Sequence, residues 1–282
     1  MSSLKNFIKD KGLSQASVAR SIGVSAGAIS QYLKGVYKGN NVDLKKRINT
    51  YIANYQTKEI KADKIIETRD FKVIHFTIDE TIIAGVMGVI YGKAGSGKTV
   101  AIKEYAKAHP EAILIETTPI ISASKLLQQI LAHLGNKNAM GSPETLLHEC
   151  VAQFKKAERT LIIDEAENLT TNNLNNLRRI HDFSGVPVVL VGTYALLQNL
   201  KGRSGELLQL YSRIEEKWEM LGLNEVDRKN LFGSFGKYIS KYTKDIRRSC
   251  AIYRKAKRLS VLQNKTLDEG FIKLATQAVI LD

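Results

Sequence analysis

Eight residues, Gly92-Lys93-Ala94-Gly95-Ser96-Gly97-Lys98-Thr99, fit the spacing GxxxxGK[ST]. Glycines at these intervals let the backbone turn its N–H groups inward around a phosphate, and a helix that follows adds the positive end of its dipole. Lys98 would meet the outer phosphates as a charge, and Thr99 would offer its hydroxyl to Mg²⁺. Val100, the first residue past the motif, would complete the loop around the phosphates. The context agrees: the apolar run Gly88–Tyr91 reads as a strand before the loop, and Val100–Ala108 reads as a helix after it. Further on, Thr160-Leu161-Ile162-Ile163-Asp164-Glu165 delivers two carboxylates at the end of a second apolar run. Asp164 is expected to hold Mg²⁺ and Glu165 to polarise an attacking water, because neighbouring side chains of a strand diverge and can take different roles. Together the two motifs point to hydrolysis of ATP with Mg²⁺.

Such motifs need a frame that brings two strand ends together. From Phe71 to Gly222, runs rich in Ile and Val alternate with amphipathic stretches, the pattern of a parallel sheet with helical crossovers. The expected strands are Gly88–Tyr91, Ala112–Glu116, Thr160–Asp164 and Val186–Val191. Residues 223–282 read as helical, a small lid domain beside an α/β core at 71–222. Residues 56–70 are polar and mixed in charge, and read as a linker.

Residues 1–55 form a separate all-α segment. Leu13 to Gly35 fits two helices around a tight turn, with Ser14 and Ser25 as caps, Gly23 in the turn, and Val18, Ile29 and Leu33 as the shared apolar seam. This segment resembles the helix-turn-helix of the phage-repressor superfamily. Its second helix should enter the DNA major groove by its N-terminal end. There it carries Ala26, Gly27 and Ala28, so only Ser25, Ser30, Gln31 and Lys34 are left to hydrogen-bond with DNA. Base contacts specify while phosphate contacts position, so the module is expected to bind with little sequence preference. A protein-interaction module on the same scaffold is the alternative.

The charge distribution favours nucleic acid. The net charge of +14 is confined to the ends: +7 over residues 1–55, zero over 56–222 and +7 over 223–282. Two distant cysteines, Cys150 and Cys250, argue against a disulfide framework or a zinc site. The N-terminus lacks the apolar core of a secretory signal. The uncharged stretch Phe183–Leu200 is interrupted by Gly185, Pro187 and Gly192. A cytoplasmic protein of a bacterial host, associated with DNA and not with membranes, is the expectation.

The Asp164-Glu165 pair after a phosphate loop resembles the AAA+ ATPases, and the resemblance covers residues 71–282. It implies three further roles. Thr193, at the end of the fourth strand, matches sensor 1. Arg213, in Leu210-Tyr211-Ser212-Arg213-Ile214, matches the arginine finger that reaches a neighbouring subunit's nucleotide. Arg247, in Asp245-Ile246-Arg247-Arg248, is the nearer match to sensor 2, although Lys244 stands where the family usually has Gly. The order helix-turn-helix then AAA+ resembles the phage Mu transposition protein B family. That resemblance implies an ATP-dependent helical filament or ring on double-stranded DNA, and recruitment and stimulation of a DDE transposase. It also places Lys125, Lys155, Lys156, Arg178 and Arg179 among the candidates for DNA contact. A helicase-loader or replication-initiation ATPase, and an ATP-gated transcription regulator, are the competing readings.

Overall fold

The computed structural model describes residues 2–59, 65–201, 207–263 and 265–281. The chain divides into two compact units, Met1–Ile65 and Ile66–Asp282.

The first unit contains α1 (Ser2–Asp10), α2 (Gln15–Ile22), α3 (Ala26–Lys34) and α4 (Asn41–Glu59). Both serine caps form: Ser14 Oγ accepts the Ser17 amide at 3.0 Å, and Ser25 Oγ accepts the Ala28 amide at 3.1 Å. Gly23 ends α2 at φ +75°, a left-handed conformation that a side chain would strain. Val18, Ala19, Ile29 and Tyr32 are buried with Leu4, Phe7, Leu44 and Ile48. Leu33, expected in the seam, is only partly buried, because the turn of α3 directs Tyr32 into the core. The expected linker is helical at both margins: α4 runs on to Glu59, and the next helix starts at Arg69. Residues 60–64 of that linker lie outside the described residues.

The second unit begins with α5 (Arg69–Ala84), then β1 (Met87–Tyr91), α6 (Lys98–Ala108), β2 (Ala112–Glu116), α7 (Ala123–His133), α8 (Pro143–Phe154) and β3 (Thr160–Asp164). There follow α9 (Thr171–Ser184), β4 (Val188–Gly192), α10 (Tyr194–Lys201), α11 (Leu208–Tyr211) and β5 (Ile214–Glu219). The five strands are all parallel, in the order β2-β3-β4-β1-β5. Three of the expected strands are in place, with β1 starting one residue earlier. β4 starts two residues later than expected, past Pro187, which has no N–H to give to a ladder.

β1, β3 and β4 are buried along their whole length, as strands covered by helices on both faces must be. One face packs on α7, α8 and α9, the other on α5 and α6. Gly88 lets α5 approach, since a Cβ there would meet Thr81 Oγ1. The unit ends in α12 (Glu225–Phe232), α13 (Gly236–Ile239), α14 (Ile246–Leu262) and α15 (Glu269–Thr276), which close around Phe232, Ile239, Ile252, Phe271 and Ile272. No helix among the described residues is long and apolar enough to cross a membrane.

Candidate nucleotide site

The phosphate loop leaves the C-terminal end of β1, where the strand order reverses and parallel sheets take their ligands. Gly95 and Gly97 hold φ +75° and +97°, so the loop curls back before α6 starts at Lys98. The Gly92 amide donates to the Gly192 carbonyl at 3.2 Å, which fixes the start of the loop to the end of β4. Lys98 is buried, and its ammonium donates to the carbonyls of Gly92 and Lys93 at 2.9 and 3.0 Å and to Ser96 Oγ at 3.3 Å. Burial lowers its pKa, and the carboxylates of Glu167 and then Asp164 oppose that shift. Val100 lies half-exposed in the first turn of α6.

Thr99 Oγ1 donates to Asp164 Oδ2 at 2.7 Å, which brings the two motifs together as expected. Burial raises the Asp164 pKa, against the hydrogen bonds from Thr99 and the Glu165 amide. Among the described residues no His, Cys, Asp and Glu group could hold a metal alone. One hydroxyl and one carboxylate nevertheless suit Mg²⁺, which keeps several waters and takes its other ligands from phosphates.

Glu165 departs from the expectation in its backbone. It is past the strand, at φ 53° and ψ 36°, and is the one non-glycine residue with positive φ among the described residues. Its side chain diverges from that of Asp164 because the chain turns left-handed there, not because of strand alternation. Thr117 Oγ1 secures the turn by donating to the carbonyls of Asp164 and Glu165 at 3.0 and 2.8 Å. Glu165 is exposed, and its Oε2 accepts from Asn168 Nδ2 at 3.2 Å. Sequence reasoning passed over Thr117, Glu167 and Asn168; Glu167 and Asn168 directly follow the Asp164-Glu165 motif, which was the available signal, whereas Thr117 is 48 residues from Glu165 and gave none.

A cavity of about 560 Å³ opens beside the loop, lined by Lys93, Ala94, Ser96, Leu221, Leu223 and Ile246 among others. Its apolar side is Met220, Leu221, Leu223 and Ile246, and the start of α5 holds the segment after β5 in place. The buried Asp70 accepts the Gly222 amide at 2.7 Å, and Arg69 donates to the Gly222 carbonyl at 3.2 Å. On the opposite side the Glu219 carboxylate accepts from Tyr194 and Tyr91 at 2.8 and 3.1 Å, linking the ends of β5 and β1 to the start of α10. Such a space, apolar on one side and lined by the phosphate loop on the other, can take a base and ribose.

Thr193 directly follows β4, half-buried. The α14 helix approaches from above: the Arg247 amide donates to the Gly95 carbonyl at 3.3 Å, and its charge acts on Lys98. Asp245 caps α14 and lies so close to Gly95 that a Cβ there would collide with it. Arg213 is elsewhere. Ile214 pairs with Met87 at the start of β1, whereas the phosphate loop leaves its other end. Four residues of strand, about 13 Å, separate Arg213 from the loop of its own subunit. Its guanidinium donates to Asp182 Oδ1 and Ser212 Oγ, each at 3.0 Å.

The DNA candidates of this unit do not share one face. Lys125 is exposed in the first turn of α7, past the C-terminal end of β2. Lys155 and Lys156 are exposed before the N-terminal end of β3, at the opposite end of the sheet. Arg179 is exposed on α9, but Arg178 is largely covered and bound to Gln209 and Asp182, an internal network. In the first unit Ser25 is occupied as a cap, Ser30 is half-buried, and Gln31 and Lys34 are exposed.

A parallel sheet in this order, with both motifs at its C-terminal edge and a helical lid above, defines an AAA+ ATPase carrying an N-terminal helix-turn-helix. Residues 84–200 match the family model described as an AAA domain, and residues 4–40 match the model described as helix-turn-helix. The chain belongs to the DNA transposition protein B family of Mu-like phages. It is 33% identical to the Mu-like prophage FluMu DNA transposition protein B of Haemophilus influenzae, over 83% of this chain and 84% of that one. It is also 25% identical to the ATP-dependent target DNA activator B of Escherichia phage Mu, over 76% of this chain and 70% of that one. Among solved structures, the Aeropyrum pernix ORC2 protein aligns with a TM-score of 0.58 at 14% identity, covering 77% of this chain and 69% of that one. A Walker-type ATPase of Pyrococcus abyssi aligns with a TM-score of 0.53 at 11% identity, covering 77% and 75%. These two share the fold.

Proposed function

We propose that the protein binds and hydrolyses ATP with Mg²⁺, assembles through its nucleotide on double-stranded DNA with little sequence preference, and recruits and stimulates a DDE transposase there. The observation that carries the ATPase part is the junction of Thr99 with Asp164 beside the buried Lys98. The DNA part draws on the helix-turn-helix fold, the +7 charge at each end of the chain, and kinship with a protein named as a target DNA activator.

In this reading the loop from Gly92 to Thr99 wraps the phosphates. Lys98 turns from its own loop's carbonyls to the β- and γ-phosphates, where it offsets charge as the γ-phosphoryl group moves. Thr99 and Asp164 would hold Mg²⁺, which would offset negative charge on the phosphates when bound. Glu165 takes a proton from the attacking water. Thr193 and Arg247 contact the γ-phosphate from β4 and the lid. Arg213 serves the adjoining subunit, which accounts for its distance from its own loop.

ATP turnover, DNA binding and transposase capture test the reading together. Purified protein should bind random-sequence duplex tightly with ATP and weakly without it. Negative-stain images should show filaments or rings only with ATP. A DDE transposase from a Mu-like element should co-sediment with the ATP–DNA assembly and accelerate hydrolysis. ATP-gated binding to one preferred operator would instead identify a transcription regulator, and capture of a helicase would identify a loader.

A further inference from the structure

Glu167 is a charged residue close to the nucleotide site that the roles above leave unused. It lies in the short 3₁₀ turn Ala166–Asn168, two residues past Glu165. Its backbone carbonyl accepts from Asn199 Nδ2 at 2.9 Å, which holds the turn against α10. Its Oε2 is buried, and no donor among the described residues reaches it. A buried carboxylate oxygen without a protein donor is expected to take one from a ligand or a bound water.

The surroundings identify that ligand's position. Glu167 Oε2 lies against Gly192, so closely that a Cβ there would collide with it. Gly192 accepts the amide of Gly92, where the phosphate loop starts, and is followed by Thr193. The oxygen therefore occupies the corner where β1 and β4 end together. The charge balance at Lys98 agrees, since Glu167 acts on that ammonium more strongly than Asp164 does. Glu165, by contrast, is exposed and held by Asn168.

We propose that Glu167 is a second catalytic carboxylate of ATP hydrolysis, accepting a hydrogen bond from one O–H of the attacking water on the β4 side, that proton staying on the water oxygen. Glu165 takes the other proton as the water oxygen bonds to the γ-phosphorus. The bond from that phosphorus to the bridging oxygen breaks, and its electron pair leaves with ADP. Two acceptors fix the direction of the water's lone pair, a task a single exposed carboxylate on a turn performs poorly. This inference rests on the reading of the chain as an ATPase.

The test compares full-length wild type, Glu165→Gln, Glu167→Gln, Glu167→Asp and Lys98→Ala, with DNA present. Steady-state hydrolysis, equilibrium binding of a fluorescent ATP analogue and thermal unfolding are measured for each. Glu167→Gln should lower kcat at least about tenfold while KM, analogue affinity and unfolding temperature stay close to wild type. Glu167→Asp keeps the charge but withdraws the oxygen, and should fall between the two. Wild-type kcat in Glu167→Gln, or unchanged kcat with weakened analogue binding, would overturn the inference and leave Glu167 as a counter-charge to Lys98. Should Glu167→Gln fail to fold, Glu167→Asp decides, and full activity in that variant would overturn the inference. A wild type that binds the analogue but turns over no faster than Lys98→Ala would instead refute the ATPase reading itself.

Discussion

Thr99 and Asp164 stand 65 residues apart in the chain and meet through a 2.7 Å hydrogen bond from Thr99 Oγ1 to Asp164 Oδ2. The bond forms because β1 and β3 end at the same edge of a parallel sheet, with β4 between them. Neither motif closes a nucleotide site alone.

Lys98→Ala removes the buried ammonium of the loop, and should abolish nucleotide-dependent assembly in sedimentation assays. Glu165→Gln should leave ATP binding near wild type while lowering turnover by roughly a hundredfold or more, as loss of a general base does. It should therefore accumulate as an assembled complex on DNA. Wild-type turnover by Glu165→Gln would show that another group takes the proton.

Hydrolysis should require two subunits, because Arg213 lies at the end of β5 farthest from its own phosphate loop. Arg213→Ala and Lys98→Ala should each be nearly inactive alone. Mixed together they should regain part of the activity, since one interface in the mixture carries an intact arginine and an intact loop. An arginine supplied this way is worth roughly 10³–10⁵ in rate in other NTPases. No recovery on mixing, with wild-type turnover independent of concentration, would refute a finger in trans.

DNA binding should fall steeply with salt, because each neutralised phosphate releases counterions. Removing residues 1–65, a unit with its own apolar core, should weaken binding to all sequences alike and flatten the salt slope. Ala26 and Gly27 open the reading helix and bring no side-chain donor to a base edge, where a good bidentate contact contributes about 1–3 kcal/mol. Competition against a random duplex library measures this. One motif enriched by more than about a thousandfold would mark a specific reader.

Gly192→Ala should destabilise the protein by about 1–3 kcal/mol, the usual range for overpacking. The new Cβ meets Glu167 Oε2 and stands 3.0 Å from Leu196 Cβ and Cδ2. Thermal unfolding should show a midpoint several degrees lower. An unchanged midpoint would mean that the turn carrying Glu167 yields easily.

The chemistry was more legible than its frame. The phosphate loop and Asp164-Glu165 are contiguous motifs whose spacing is dictated by the ligand, so the sequence displays them directly. β5 escaped notice because four of the six residues of Ile214-Glu215-Glu216-Lys217-Trp218-Glu219 are charged. It is an edge strand with every second residue exposed, and pairing with β1 outweighs its poor propensity. α5 was hidden for the opposite reason: its Ile, Val and Thr read as strand formers, and only packing over Gly88 settles the helix. The left-handed turn at Glu165 has no local signature, since Thr117, 48 residues away, helps to hold it. Glu167 has no signature of its own in the sequence, because burial of a single oxygen depends on the end of β4.

If Arg213 serves a neighbour as proposed, its separation from its own phosphate loop would give every subunit two unlike faces, one lending an arginine and one in need of it. Contacts between unlike faces propagate head to tail. A closed ring completes as many sites as it has members, whereas an open row always leaves one terminal loop unserved. In short rows that idle fraction is large, and in long ones it vanishes, so turnover per molecule should climb with length. The unserved terminus would keep its ATP longest, which would give such an assembly a slow end, a fast interior and hence a built-in direction.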